Sequence, residues 1–156
     1  MANFSLLAQL QESRLSSRLA SENPPARLEV TESRSGYEGR QLAAFAADLG
    51  IPVTFITDAQ IALFVPTADK VVVGADTVLA DGSIINKSGT TLMALAAHYY
   101  GVPFYVCAES FKQSSDNQLS LEEMQAAELG YRQPGVKVRN VYFERVPAEL
   151  ITHWIR

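Results

Sequence analysis

The sequence has few of the residues that build disulfide frameworks and metal centres. Of its 156 residues, one is a cysteine, Cys107, and two are histidines, His98 and His153. A single cysteine excludes an internal disulfide and any cysteine-rich zinc site, and two histidines argue against a histidine-based metal centre. We therefore predict that the chain holds no metal, and we expect a reducing, cytoplasmic setting.

The chain also lacks an excess of basic residues and a long apolar run. Thirteen lysines and arginines against seventeen aspartates and glutamates give a formal charge of -4, which argues against a nucleic-acid platform. No apolar run is long enough to span a bilayer, and residues 1–20 lack the basic flank and cleavage pattern of a signal peptide. We expect neither nucleic acid nor a membrane among the partners.

Short apolar segments of two periodicities alternate along a chain that is 47% hydrophobic. Runs rich in β-branched residues predict strands, and apolar residues three or four positions apart predict helices. The predicted strands cover residues 27–31, 52–56, 70–74 and 103–107, followed by an extended segment at 136–143. Helices are predicted at 4–20, around 42–49, at 59–65 and 91–100, around 122–124 and at 147–154, with a polar connection at 75–87.

The same joint between a helix and a strand occurs twice in the sequence. Residues 49–53 and 100–104 each read as a helix end, a glycine, a β-branched residue, a proline and the start of a strand. Strands and helices that alternate in this way are typical of a parallel sheet. We predict an α/β fold, a Rossmann-like parallel sheet of four or five strands with helices on both faces. Residues 1–26 are predicted to form an N-terminal helix and linker, and residues 27–156 the domain.

Polar residues follow each predicted strand, at the edge of a parallel sheet where ligands bind. Gly74 lets the backbone approach a ligand closely, and Asp76 is placed as a carboxylate able to move a proton. Asn86 and Lys87 precede a predicted helix start, whose free N–H groups and dipole favour an anion such as phosphate. Lys112 follows the last of these strands and is a further candidate.

These candidates also have plain structural interpretations. Polar residues are common in loops, and Lys87 can be a solvated surface lysine. Arg34 can contact a second anionic group or form a salt bridge with Glu32 or Glu38. Cys107 lies in an apolar strand pattern and is predicted to be a core residue rather than a nucleophile. No Walker A loop and no GxGxxG fingerprint is present, so neither nucleotide hydrolysis nor a dinucleotide cofactor is predicted.

An ordered set of motifs covers residues 27–152. The motifs are TESR (31–34), EGR (38–40), ITDA (56–59), VVVGAD (71–76), DGSIINKSGT (81–90), PFYV (103–106), AESFK (108–112), NVYF (140–143) and PAELIT (147–152). This set resembles the C-terminal domain of one family. It contains the alpha, beta and delta subunits of translation initiation factor 2B, methylthioribose-1-phosphate isomerase and ribose-1,5-bisphosphate isomerase.

The resemblance implies a Rossmann-like domain that commonly dimerises and a site for a phosphorylated sugar or nucleotide. In the enzymes the aspartate of the Gly-Ala-Asp motif, here Asp76, donates a proton. Their Asn-Lys pair, here Asn86 and Lys87, contacts the substrate. These isomerases convert an aldose 1-phosphate to a ketose 1-phosphate without metal or nicotinamide, so no cofactor is implied. Because phosphate blocks the anomeric oxygen, ring opening needs an acid, which is the role implied for Asp76.

The chain departs from the pattern of the enzymes in this family. They carry an N-terminal helical domain and a catalytic cysteine upstream of the TESR motif, whereas residues 1–30 contain no cysteine here. They tend to have proline and glutamine where this chain has Ser35 and Glu38. A glutamate that faces a phosphorylated sugar repels it unless the carboxyl is protonated or paired with Arg34 or Arg40.

These observations lead to two functional hypotheses. The first is a family protein that binds a phosphorylated sugar or nucleotide at the ends of its strands, with aldose–ketose isomerase activity weakened or lost. The alternative is a non-catalytic regulatory or assembly subunit of the initiation-factor type, indicated by the ending at residues 109–112. Such a subunit acts through protein–protein contacts, as a homodimer or with a related subunit.

Overall fold

Parallel strands form the centre of the computed structural model, which describes residues 5–9, 27–108 and 123–155. Within these ranges the strands are β1 (Ser5–Gln9), β2 (Arg27–Thr31), β3 (Val53–Ile56), β4 (Lys70–Gly74), β5 (Thr77–Val78), β6 (Ile84–Lys87), β7 (Phe104–Cys107), β8 (Phe143–Val146) and β9 (His153–Ile155). Six of them form one sheet in the order β3-β2-β1-β4-β7-β9, and every neighbouring pair is parallel. The predicted parallel α/β fold is confirmed.

Helices cover both faces of the parallel sheet. They are α1 (Gly39–Asp48), α2 (Ile61–Phe64) and α3 (Thr90–Tyr100). Alternate residues of β4 point to opposite faces, so that Val72 packs in the cluster of Leu42 and Ala46 from α1. Val71 and Val73 pack on the other face, in the cluster that contains Ile61 of α2 and Met93 of α3. The predicted two-sided layering is therefore confirmed.

Both predicted helix–strand joints are present. Gly101 ends α3 with a φ of 70°, in the left-handed region that a glycine adopts without strain. Gly50 follows α1 with a φ of 76°. The carbonyl oxygen of Pro52 accepts a hydrogen bond from Leu28 N at 2.9 Å, and that of Pro103 accepts one from Val71 N at 2.9 Å. Each proline thus continues the ladder of the strand that follows it.

The strands β5, β6 and β8 form a second, antiparallel sheet in the order β5-β6-β8. The segment 75–87 is predicted as a polar connection, but β5 and β6 occupy part of it and pair as an antiparallel hairpin. The predicted turn at Asp81 and Gly82 joins the two strands, and Gly82 has a φ of 82°. The register pairs Lys87, at the end of β6, with Phe143 at the start of β8.

Two predicted helices are strands of the parallel sheet. Ser5–Gln9 was predicted as part of a helix, but it forms β1 between β2 and β4. Residues 10–26 of that prediction lie outside the described residues. The segment 147–154 contains one helical turn, Ala148–Leu150, followed by β9, which pairs with β7. These two strands explain why the sheet has six strands instead of the predicted four or five, since short apolar segments fit either periodicity.

Two further predictions near the C-terminus differ from the structure. The helix predicted around 122–124 is absent at Glu123 and Met124, because Glu123 forms an isolated antiparallel bridge with Val141. A helical turn occurs a little later instead, at Ala126–Leu129. The extended segment predicted at 136–143 overlaps β8 only at Phe143.

Gly39 allows the first turn of α1 to lie against the end of β2. A Cβ atom at this position would be 1.7 Å from the carbonyl oxygen of Thr31, which is far inside van der Waals contact. We expect Gly39→Ala to lower the free energy of unfolding by about 1–3 kcal/mol through overpacking. Urea denaturation measures the change. Ala44→Ser, at an exposed position of the same helix, serves as the control and is expected to cost less than about 0.7 kcal/mol.

Candidate functional site

The carboxyl ends of the parallel strands meet at one edge of the sheet, and a loop from β2 is fixed above it. Asp58, which follows β3, accepts hydrogen bonds from Ser33 N at 3.0 Å and from Arg34 N at 2.7 Å. Ser33 has a φ of 56°, so this carboxylate holds the loop in a conformation that is uncommon for serine. Asp58 therefore orders the loop that carries Arg34 and Glu38.

Lys87 is a buried cation at the end of β6. The residue is 7% exposed, which excludes the interpretation as a solvated surface lysine. Its Nζ lies 2.6 Å from Glu38 Oε1 and 3.8 Å from the ring centroid of Tyr142. The ammonium is therefore held between a carboxylate and an aromatic face, both of which stabilise positive charge. Sequence analysis had considered Arg34 or Arg40 as partners of Glu38, but the partner is Lys87.

Asn86 fixes the turn between β6 and α3. Its Nδ2 donates to Thr90 Oγ1 at 2.9 Å, and that hydroxyl donates to the carbonyl oxygen of Lys87 at 2.6 Å. Both Asn86 and Thr90 are buried. The Asn-Lys pair thus has two roles in the structure, since the amide holds the turn and the lysine carries the charge.

The N-terminus of α3 is occupied by a carboxylate from the chain itself. Glu144 Oε1 accepts hydrogen bonds from Gly89 N at 2.8 Å and from Thr91 N at 2.7 Å. The helix start was predicted to offer free N–H groups to a phosphate, and at Gly89 and Thr91 this prediction is wrong. A negative charge is indeed favoured at this position, as the helix dipole requires, but Glu144 supplies it.

Asp76 lies beside Asn86 at the same edge. Its backbone N–H donates to the carbonyl oxygen of Ile85 at 2.9 Å. The register pairs Thr77 with Ile85, and one residue further it places Asp76 next to Asn86. The Asp76 side chain is exposed, so the carboxylate is open to a ligand. Gly74, two residues before Asp76, is the last residue of β4 and pairs with Cys107 of β7.

Arg34 and Lys112 are the two remaining basic candidates. Arg34 is exposed, and its Nη2 donates to the carbonyl oxygen of Leu129 at 3.2 Å. Its guanidinium lies 5.8 Å from the ring centroid of Tyr37. This backbone contact is neither of the two roles that the sequence predicted for Arg34. Lys112 lies outside the described residues.

A hydrogen-bond network joins the β2 loop to the segment before β8. Ser35 Oγ donates to Asn140 Oδ1 at 2.7 Å. Asn140 Nδ2 donates to the carbonyl oxygen of Gln125 and to Glu128 Oε2, both at 3.0 Å. Tyr142 OH donates to the same Glu128 oxygen at 2.7 Å. Sequence analysis did not identify this network, because its members are polar residues in loops with no periodicity to connect them.

The network has an electrostatic effect on the tyrosine that covers Lys87. The hydrogen bond to the Glu128 carboxylate raises the pKa of Tyr142 above its usual value, while a hydrogen bond with Ser35 partly offsets the rise. The neutral phenol is therefore favoured, and its ring remains a stable face for the Lys87 ammonium.

The site combines one buried cation, an exposed carboxylate and an amide in a turn. Such a set can bind an anionic group at Lys87 and move a proton at Asp76. Across 5–9, 27–108 and 123–155, no group of three or more metal-ligating side chains is assembled. Over the same residues, no helix is long and apolar enough to cross a membrane.

The fold and the site together define a Rossmann-like α/β domain, with polar groups gathered at the carboxyl ends of its parallel strands. The chain belongs to the initiation factor 2 subunit family, whose model matches residues 12–156. This result confirms the family resemblance that the sequence motifs indicated.

Two relatives and one solved structure show what the chain is similar to. A Pyrococcus furiosus protein named as similar to subunit 2 of translation initiation factor eIF-2B is 42% identical over 122 residues, which cover 78% of this chain and 44% of that protein. Ribose 1,5-bisphosphate isomerase of Archaeoglobus fulgidus is 41% identical over 134 residues, 80% of this chain and 43% of the enzyme. The crystal structure of the Pyrococcus horikoshii translation initiation factor eIF-2B matches with a TM-score of 0.84 and 33% identity, over 99% of this chain and 56% of that one.

These comparisons relate the chain to sugar-phosphate isomerases and to initiation-factor proteins alike. The chain spans less than half the length of the two relatives described above. Their identities to it differ by one percentage point, so sequence similarity does not separate the two groups.

The raised pKa of Tyr142 has a measurable consequence for stability. A tyrosine whose pKa is higher in the folded state contributes stability below its unfolded pKa of about 10, and this contribution is lost as the pH rises through the folded value. We expect the difference in unfolding free energy between the native chain and Tyr142→Phe to shrink above about pH 10. Glu128→Gln is expected to reduce this pH dependence, and Tyr131→Phe, at an exposed position, is the control. Urea unfolding as a function of pH measures all four proteins.

Proposed function

We propose that the chain binds a phosphorylated sugar or nucleotide at the carboxyl ends of its strands, with Lys87 as the contact for the phosphate. The observation that carries the proposal is the buried ammonium of Lys87 beside the exposed Asp76 and the turn of Asn86. A buried ammonium is costly unless a negative group accompanies it. Its position at the ligand-binding edge of a parallel sheet supports a role in binding an anion.

Asp76 is the group that we propose moves a proton in a bound sugar. The register places Asp76, whose carboxylate is exposed, next to Asn86, and Asn86 precedes Lys87 in the sequence. An acid at this place can assist the opening of a sugar ring whose anomeric oxygen carries phosphate. The reaction class would be the isomerisation of an aldose 1-phosphate to a ketose 1-phosphate, an intramolecular oxidoreduction. Binding and catalysis are separate proposals, because the chain covers less than half of the named isomerase.

The other candidate residues have supporting roles in this proposal. Glu38 and Arg34 lie on the loop that Asp58 orders, and Gly74 leaves the end of β4 open to close approach. Lys112 remains a predicted contact. No cofactor is part of the proposal, since the sugar isomerisation transfers hydrogen within one molecule.

Calorimetric titration tests the binding proposal. We expect heat with ribose 1,5-bisphosphate, methylthioribose 1-phosphate or AMP, and an affinity at least about tenfold lower for Lys87→Ala, which removes a charge-assisted contact. Lys70→Ala is the matched control, because Lys70 begins β4 at the opposite edge and lies over Tyr105. Unchanged affinity in a folded Lys87→Ala protein would contradict the proposal.

The role of Asp76 is tested with the same ligands. Asp76→Asn keeps the size of the side chain and removes its acid, so we expect it to bind within about threefold of the native chain and to lack any isomerase activity the native chain has. Asp48→Asn, at the exposed end of α1, is the control. Equal isomerase activity in native and Asp76→Asn proteins would remove Asp76 from the reaction.

The alternative, a subunit that acts through protein–protein contacts, rests on a different observation. Leu92, Leu95 and Tyr99 of α3 are exposed and recur at helical spacing. The predicted dimer accounts for such a face. Light scattering after size-exclusion chromatography measures the mass, and a dimer that gives no heat with any of the three ligands would favour this alternative.

A further inference from the structure

The ion pair at the site joins a buried cation to an exposed carboxylate. The side chain of Lys87 is 9% exposed, whereas that of Glu38 is 54% exposed. Lys87 leaves a strand and is covered by Tyr142, but Glu38 reaches Lys87 from a loop and faces solvent. Of the two partners, Glu38 is therefore the one that can leave without opening the core.

The backbone at Gly36 makes room for this carboxylate. A Cβ atom at Gly36 would lie 2.6 Å from Glu38 Oε1, 2.8 Å from its Cδ and 3.0 Å from its Oε2. The carboxylate of Glu38 thus rests directly on Gly36 while it contacts Lys87. Any side chain at residue 36 would push the carboxylate away from the lysine.

Glu144 is the other carboxylate that contacts the turn between β6 and α3, and it cannot be exchanged for a ligand. Glu144 accepts two backbone N–H groups at the start of α3, so its departure would leave the helix uncapped. The contact between the Glu38 carboxylate and Lys87 does not cap a helix. Of these two carboxylates that contact the turn, Glu38 is the one that can give up its place to a ligand at modest cost.

We propose that Glu38 is a built-in counter-anion, which Lys87 exchanges for the phosphate of an incoming ligand, and which sets the ligand class of the site. This inference rests on the proposed function. A simple anion must displace the carboxylate and remain next to its negative charge, which lowers its affinity. A phosphorylated sugar offers hydroxyl groups that donate hydrogen bonds to the displaced carboxylate. The site therefore selects phosphorylated sugars over inorganic phosphate.

Neutralising Glu38 tests the exchange directly. Glu38→Gln keeps an oxygen that accepts from Lys87 and removes the charge. We expect inorganic phosphate to bind this variant about tenfold more tightly than the native chain, and the preference for ribose 1,5-bisphosphate over inorganic phosphate to fall by a similar factor. Glu149→Gln, an exposed glutamate in the turn before β9, is the matched control and leaves both affinities unchanged. Calorimetry measures all of these constants.

A second variant disturbs the ion pair between Glu38 and Lys87 without substituting the glutamate. Gly36→Ala displaces the carboxylate of Glu38 sterically, and the backbone at this position carries no positive φ that would strain alanine. We expect inorganic phosphate to bind Gly36→Ala more tightly than the native chain but less tightly than Glu38→Gln, because the charge stays nearby. Phosphate should also raise the melting temperature of both variants more than that of the native chain.

The outcomes separate this inference from the proposed function. If the native chain binds ribose 1,5-bisphosphate and neither variant gains affinity for inorganic phosphate, the counter-anion inference is wrong and the proposed function stands. If the native chain binds no ligand while Glu38→Gln binds inorganic phosphate, the carboxylate blocks the site instead of exchanging with a ligand, and both the exchange and the proposed function are overturned. If no protein binds either probe, both are overturned.

Discussion

The burial of β4 on both faces is the constraint on which the rest of the structure depends. Val71 and Val73 are completely buried on one face, and Val72 is buried on the other. A fully buried valine contributes about 1.5–3 kcal/mol, so this strand can form only when helices cover it from both sides. Because β4 also pairs with β1 and β7, its position fixes where each helix layer lies.

The position of the site follows from this packing. α3 lies against β4, so β6 and the turn before α3 are held at the carboxyl edge of the sheet. The turn places Lys87 under Tyr142 and within reach of Glu38, while Asp58 and Asn140 hold the loops on either side. The surroundings of the Lys87 ammonium therefore come from three separate elements of the chain. Each of these elements is held in place by contacts other than the ion pair itself.

Sequence patterns predicted the parts of the fold whose periodicity is unambiguous. The strands at 27–31 and 70–74 and both glycine–proline joints are confirmed, because β-branched runs and helix-ending glycines have few other solutions. β1 and β9 were missed, since five or fewer apolar residues fit a helix as well as a strand. At the candidate site, the motifs predict roles for Asn86 and Lys87, but no local pattern could show that Glu38 and Glu144 supply the negative charges. Those contacts join residues about fifty positions apart, which periodicity does not relate.

The hydrogen bond between Ser35 and Asn140 has a consequence for the order of folding. It links positions 105 residues apart, and the entropy of closing so long a loop must be overcome before the contact forms. During synthesis from the N-terminus, α1 and its loop emerge well before Asn140 and Tyr142. Lys87 can therefore contact Glu38 early, whereas Tyr142, whose ring covers the ammonium, is synthesised only with the last third of the chain. Five of the six strands of the parallel sheet precede Tyr142 in the chain, so most of the sheet can form before the site is complete.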